Sequence, residues 1–306
     1  MTGVLRKGYH IVRRARQIAK DYPANREVNL LYENQLRSLQ LQYNTDNKFA
    51  VVIHLFYTDN WPLFNRKLNL LPSDKFDLFI TLPEHNKPFS NTILKDYPKA
   101  QIILSPNRGR DVLPFMKVAG VISSLNYKTV LKFHSKKSTH RDDGQDWLES
   151  MLDQIIPDNK RVLDKILSVV KRDNFGVLGP ANTYYPLTVN FPANGMHMTK
   201  VVTDLFGKEI AYDTLQVNRK DYGFFGGTMF WISTDTVEKL QKYSDARYFE
   251  TESGQIDATF AHALERLFCV IPELGAKDIY ESTGRRVVKR AHASNNIPSW
   301  SEDHDK

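Results

Sequence analysis

One cysteine, Cys269, stands among 306 residues, so no internal disulfide framework holds this chain together. It lies inside the apolar run Leu267-Phe268-Cys269-Val270-Ile271, where a thiol reads as a small buried hydrophobe rather than a nucleophile. Long hydrophobic runs are missing too, and nothing approaches the roughly 20 apolar residues that cross a bilayer. Residues 1–20 carry Arg and Lys throughout with no apolar centre, which is not the pattern of a secretory signal peptide. No internal repeat or low-complexity segment is present. These absences lead to the expectation of a soluble, reduced, cytoplasmic protein.

What is present is positive charge. Lys and Arg number 42 against 35 Asp and Glu, a formal charge of +7, which suits an anionic partner such as a nucleotide, a nucleic acid or an acidic membrane. The basic residues gather at turns rather than along one face, and no known nucleic-acid motif occurs, so nucleic acid is not the expected partner. The length suits one large domain with appendages.

Three segments follow from the pattern: a basic helical extension over 1–47, a main domain over 48–275, and a polar C-terminal extension over 276–306 with a disordered tail. In the first, Val4, Leu5, Tyr9, Ile11, Val12 and Ile18 alternate with Arg6, Lys7, Arg13, Arg14, Arg16 and Lys20. Such a helix either lies on an anionic membrane surface or packs on the domain with its basic face solvated. A second helix is expected over 27–41.

In the main domain, FAVVIHLFY (49–57) is a continuous apolar run of the kind a buried parallel strand shows. Further strands are expected at 76–82, 100–104 and 129–133, alternating with helices at 61–71, 86–98 and 112–125. That alternation implies βαβ units and a mostly parallel sheet flanked by helices. Beyond residue 145 the pattern predicts helices near 146–156 and 158–172, a strand at 176–179 and a long loop rich in Tyr, Pro and Asn. One strand over 224–232, a helix over 257–267 and a short strand at Val270-Ile271 complete it.

Two basic turns are the most informative features. Asn107-Arg108-Gly109-Arg110-Asp111 and His134-Ser135-Lys136-Lys137 each follow an apolar strand, which places them at neighbouring strand ends. Open α/β sheets bind ligands at the carboxyl ends of their strands, and Arg and Lys gathered there can seat a diphosphate. The competing reading is a pair of solvated surface loops.

Seven stretches, HLFYTDNWP (54–62), FDLFITLP (76–83), NRGRDVLPF (107–115), LKFHSKKS (131–138), GVLGP (176–180), FFGGTMFWI (224–232) and DATFAHALERLF (257–268), together resemble the rhamnan synthesis F-like glycosyltransferases. The resemblance covers roughly residues 48–270. It implies a GT-A-like, Rossmann-like fold and transfer of a sugar from a nucleotide donor. It also implies L-rhamnose from dTDP-L-rhamnose, moved with inversion onto a growing cell-surface polysaccharide or O-antigen, the acceptor being a glycan or a lipid-linked glycan. A peripheral position on the inner face of the bacterial cytoplasmic membrane, through residues 1–20, would suit that task.

Many GT-A enzymes bind a divalent metal through an Asp-x-Asp turn, but here the matching strand ends in His134-Ser135-Lys136-Lys137. The sequence Asp303-His304-Asp305 occurs only in the tail. Arg108, Arg110, Lys136 and Lys137 are therefore expected to form a diphosphate clamp with no metal and no other cofactor, since fixed cations can supply the stabilisation. His134 either joins that site, or binds a metal with Asp142 and Asp143, or is a hydrogen-bonded structural histidine. Asp111 either accepts a ribose or sugar hydroxyl or caps the helix from Val112. Tyr57 and Asp59 are placed to stack on and hydrogen-bond the base, with capping of the next helix as the rival role for Asp59.

An inverting displacement needs a carboxylate base opposite the leaving group. The candidates are Asp257, at the expected helix start, and then Glu252; simple helix capping is the alternative for Asp257. Glu265 and Arg266 read as a helix-surface ion pair unless they face the cleft. Gly226-Gly227 marks close approach by a sugar or a neighbouring strand. Phe224, Phe225, Phe230 and Trp231 form either a sugar platform or core. A non-catalytic nucleotide- or nucleic-acid-binding module, or a glycosyltransferase-like scaffold module, is the alternative to the whole enzymatic reading.

Overall fold

The computed structural model describes residues 23–39, 41–44, 46–135, 144–189, 191–255 and 257–290. Helix α1 covers 23–38. Then come β1 (Phe49–His54), α2 (Trp61–Leu68), β2 (Phe76–Pro83), α3 (Ser90–Asp96), β3 (Gln101–Ser105), α4 (Val112–Ser124) and β4 (Thr129–His134). The second half contributes α5 (Gly144–Ile155), α6 (Lys160–Val169), β5 (Phe175–Pro180), β6 (Tyr184–Pro186), α7 (Phe191–Phe206) and α8 (Lys208–Tyr212). It ends with β7 (Gly223–Phe225), β8 (Phe230–Ser233), α9 (Thr234–Leu240), α10 (Phe260–Leu274), β9 (Asp278–Ser282) and β10 (Val287–Lys289).

Eight strands form one sheet in the order β10-β9-β5-β8-β4-β1-β2-β3. Only β8 and β10 run against the others, so the sheet is mostly parallel and the fold is the anticipated Rossmann-like α/β architecture. Both faces are covered, which is why β1 is apolar at every position but its last. Along β1, Ala50 and Val52 enter one core with α4, α7, α9 and α10; Val51 and Ile53 enter the other with α2, α5 and α6. That alternation is the two-residue period of a strand buried on both sides.

Helix α1 is fastened to the edge strand β3. The Gln35 side chain donates to the Leu104 carbonyl (2.9 Å) and accepts from the Leu104 N–H (2.7 Å), and Tyr32 hydrogen-bonds Ser105 Oγ at 2.7 Å. Gln35 thus occupies the place of a further strand at an otherwise unpaired edge. The basic residues 1–20 lie outside the described residues.

Several expectations change. The run 224–232 is not one strand: β7 pairs with β6 in a separate two-stranded sheet, and the chain turns through Gly226–Met229 before β8 enters the main sheet. The expected long loop contains α7, a helix of 16 residues. Val270 and Ile271 lie in α10, which starts at Phe260 rather than 257 and continues past Pro272. Strands β9 and β10 belong to the main sheet although they lie past residue 275.

Candidate active site

The sheet order changes direction at β1, which has β2 on one side and β4 on the other. Crevices at such switch points, outside the carboxyl ends of the strands, are where open α/β sheets bind ligands. Here His54 and His134 end their strands opposite one another. The Tyr57 N–H donates to Ser135 Oγ at 2.7 Å, Asn60 Nδ2 reaches the Ser135 carbonyl, and the Ser135 N–H donates to the His54 carbonyl. Ser135, not singled out from sequence, therefore joins the loops that leave β1 and β4. Tyr57 is half-buried there and Asp59 is exposed.

Beneath this edge lies a buried polar lock. Lys132 Nζ donates to Asp111 Oδ2 at 2.6 Å and to the Thr228 carbonyl at 2.7 Å, while Thr228 Oγ1 donates to the same Asp111 oxygen at 2.6 Å. All three residues are at most 5% exposed. Burial lowers the Lys132 pKa from the ordinary lysine value, and Asp111 beside it, with Glu265 further off, offsets part of that shift. Asp111 occupies the N-cap position of α4 but spends its carboxylate on this lock rather than on capping. His134 Nε2 lies 2.6 Å from the Gly227 carbonyl, the contact of a hydrogen-bonding imidazole.

The turn that the lock holds is strained. Gly227 has φ +87° and Thr228 φ +48°, a left-handed conformation that β-branched residues rarely adopt. The glycine pair answers to neighbouring side chains: a Cβ at Gly226 would fall 2.7 Å from the Tyr185 ring, and one at Gly227 would fall 3.0 Å from Trp147. The Gly227 N–H donates to Glu265 Oε1 at 2.8 Å. Phe224, Phe225, Phe230 and Trp231 are core residues, at most 2% exposed.

The turn after β3 meets the segment before α10. Arg108 is 7% exposed, and its guanidinium donates from Nε and Nη2 to the Phe249 carbonyl at 3.1 and 2.7 Å, holding the two segments together. Arg110 (φ +55°) donates its N–H to Glu252 Oε1 at 3.1 Å, and its guanidinium contacts the Gln255 carbonyl and, at 3.8 Å, Glu252. Asn107 is exposed beside them. Lys136, Lys137, Asp142 and Asp143 lie outside the described residues.

Asp257 does not cap α10, whose N-cap is Thr259 in a reciprocal capping arrangement with His262. Its carboxylate accepts from Asn194 Nδ2 (2.9 Å), the Ala258 N–H (2.8 Å) and Arg266 Nη2 (3.2 Å). Burial alone would push its pKa up, but Arg266, Asn194, His262 and the Ala258 N–H together hold it below the ordinary carboxylate value. Glu265 and Arg266 do not pair with one another; they diverge to Gly227 and Asp257. Sequence reasoning missed Lys132, Thr228 and Ser135 as site residues. A lysine inside an otherwise apolar strand (Thr129-Val130-Leu131-Lys132-Phe133) was the signal for the first of them.

The chain matches the family described as Rhamnan synthesis protein F over residues 10–274. That match takes in most of the segment before residue 48 as well as the main domain. Two curated relatives, each called Uncharacterized protein WxcX, come from two strains of Xanthomonas campestris pv. campestris. Each is 37% identical over 162 residues, which is 52% of this chain and 22% of the relative. The chain thus spans about a fifth of the length of those relatives.

Proposed function

Because the chain belongs to the rhamnan synthesis protein F family, we propose that it is a glycosyltransferase. In this reading it moves L-rhamnose from dTDP-L-rhamnose, with inversion, onto a growing cell-surface glycan. The observation that carries the reading is convergence. The carboxyl edge of the sheet gathers the turn after β3, the ends of β1 and β4, the strained Gly227-Thr228 turn and the carboxylates before and on α10. A fixed anion seat beside fixed carboxylates is what displacement of a nucleoside diphosphate needs.

In the proposed reaction, an acceptor hydroxyl oxygen bonds to the anomeric carbon as the bond to the diphosphate oxygen breaks. Asp257 takes the hydroxyl proton as general base, and Arg266, Asn194 and His262 hold it in the ionised form, below the ordinary carboxylate pKa. Glu252 is the second candidate for that task. Arg110, with Lys136 and Lys137, which follow β4 in sequence, neutralises the departing diphosphate in place of a metal, and Arg108 keeps the Arg110 turn against the segment that carries Glu252. Tyr57, Asp59 and Asn107 border the nucleoside side of the crevice. Among the described residues no helix is long and apolar enough to cross a membrane. Contact with the inner membrane face through residues 1–20 is part of the proposal.

Calorimetry with dTDP and UDP, together with a hydrolysis panel of nucleotide sugars, tests the reading. The expected result is binding that weakens with salt and slow hydrolysis of one donor. Absence of binding to any nucleoside diphosphate at millimolar concentration would refute the transferase assignment and favour a scaffold role.

A further inference from the structure

The β10 flank of the sheet carries cations that nothing in the fold neutralises. Helix α6 opens with Lys160 and Arg161 and has no acid in its first turn. Cations there face the positive end of the helix dipole, so they do not serve the helix itself. Arg161 and Lys165 stand one turn apart on its exposed side, and Lys171 and Arg172 follow its last turn. The turn after β9 adds Arg285 and Arg286, and the two elements are packed together. Val287 shares a core with Val162, Leu163 and Ile166 of α6. Arg172 Nη1 donates to the Tyr280 hydroxyl of β9 at 3.2 Å and lies close enough to Lys289 to oppose its charge.

Arg161, Lys165, Lys171, Arg285 and Arg286 are exposed, and among the described residues their side chains make no hydrogen bond or ion pair. Nearby, Asp164 is engaged by Lys160 at 3.0 Å and Asp278 by Lys289 at 2.6 Å, while Asp153 and Asp158 share the buried Lys67. That leaves Asp173 to face those cations. Strand β10 is the edge of the sheet, and Val288, one strand period after Arg286, is 38% exposed.

We propose that this flank, α6 with the β9–β10 hairpin, docks on an anionic phospholipid bilayer, as a contact separate from residues 1–20. Long cationic side chains with no internal partner suit a fluid surface of phosphates, which offers no fixed geometry, and each one near that surface adds attraction. An exposed aliphatic side chain beside them can enter the headgroup boundary. A nucleic acid is met by rings that stack on its bases, whereas the nearby rings of Phe175 and Tyr280 are buried. The flank also lies on the right side of the fold. Strand β9 runs parallel to β5, and β8 runs against both β5 and β4, so the Arg285-Arg286 turn shares an edge of the sheet with the ends of β1 and β4. A bilayer held there borders the edge at which the proposed reaction would meet a lipid-linked acceptor.

The test is co-sedimentation of the whole chain with vesicles of phosphatidylcholine alone, and of phosphatidylcholine with about a third phosphatidylglycerol, at low and at physiological salt. The wild type should bind the anionic vesicles, less so as salt rises, and ignore the neutral ones. The combined variant Arg161→Gln, Lys165→Gln, Arg285→Gln and Arg286→Gln should lower the partition coefficient at least about tenfold. Its melting temperature should stay at the wild-type value, because all four side chains are exposed. Arg13→Gln, Arg14→Gln and Arg16→Gln together set the share of residues 1–20; adding the four flank changes to that background should still remove about tenfold. Unchanged vesicle binding by the flank variant overturns the proposal, and so does complete loss of binding from the changes at residues 13, 14 and 16 alone. Retention on double-stranded DNA with none on anionic vesicles also overturns it and makes nucleic acid the partner. Vesicle binding is read without nucleotide, so its outcome is independent of the transferase reading.

Discussion

Replacing Lys132 with methionine removes the ammonium and little else, because the two side chains are similar in length and Lys132 is packed within the apolar interior. Asp111 then keeps its charge at 5% exposure with Thr228 Oγ1 and the neighbouring His134, whose Nε2 lies 3.9 Å away. Breaking one side of a buried ion pair costs about 3–5 kcal/mol, because the remaining charge stays desolvated. The Thr228 carbonyl also loses its donor. Set against a total stability of about 5–15 kcal/mol for a folded domain, Lys132→Met alone should lower the melting temperature by roughly 10 °C.

The cycle is completed by Asp111→Asn and by the double variant. Neutralising Asp111 in the absence of Lys132 removes the stranded charge, so the double variant should recover stability relative to Lys132→Met, with a coupling of at least about 2 kcal/mol. Urea unfolding followed by circular dichroism, with unchanged m-values as the control, reads each corner. Additive single losses, or a Lys132→Met loss below about 1 kcal/mol, would refute the claim that this pair is the keystone of the strained turn.

Three further outcomes are expected. Asp257→Asn should lower transfer at least a hundredfold, at the lower bound for general base catalysis, while dTDP affinity measured by calorimetry stays near wild type; retention of about a tenth of the rate would pass the role to Glu252. Activity should survive excess EDTA, and Arg110→Ala should cost about 2–4 kcal/mol of transition-state stabilisation; loss on chelation that Mn²⁺ or Mg²⁺ restores would replace the cationic clamp with a metal. Burial pushes the Glu273 carboxyl up from 4.5 to about 7, against the opposing effect of Arg290. The folded chain therefore holds a proton between those values that the unfolded chain has released, and this contribution to stability is full below pH 4.5 and lost as pH rises through 7. Glu273→Gln should accordingly be about 3 kcal/mol more stable than wild type at pH 8 and nearly equal to it at pH 4.5; equal differences at both pH values would contradict the assignment.

The strands of the first half were legible because burial on both faces writes a continuous apolar run, as in 49–53, and few other elements do. The split of 224–232 was not, since Phe224-Phe225 and Phe230-Trp231-Ile232 are apolar enough for one strand. Only the left-handed backbone at Gly227 and Thr228 divides them. Helix α7 was hidden by Pro192, Asn194 and Gly195, which read as loop residues, although a proline is tolerated in the first turn of a helix. In α10 the buried face from Phe260 to Ile271 outweighs the interruption at Pro272. At the site, the motifs showed which segments meet, but not which side chains would be spent on holding them. Arg108 and Asp111 look alike in sequence as ligand-binding candidates, and both are committed to internal partners.

The expected Glu265–Arg266 pair fails for a geometric reason that also connects the two halves of the site. Consecutive helical residues point about 100° apart, so neighbours in sequence do not face one another. Helix α10 uses that angle to send Arg266 to Asp257 and Glu265 to the Gly227 turn. In the proposed reaction, the first contact sets the base, and the second holds the strained turn. The two contacts are thus made by adjacent residues of one helix rather than by two independent loops.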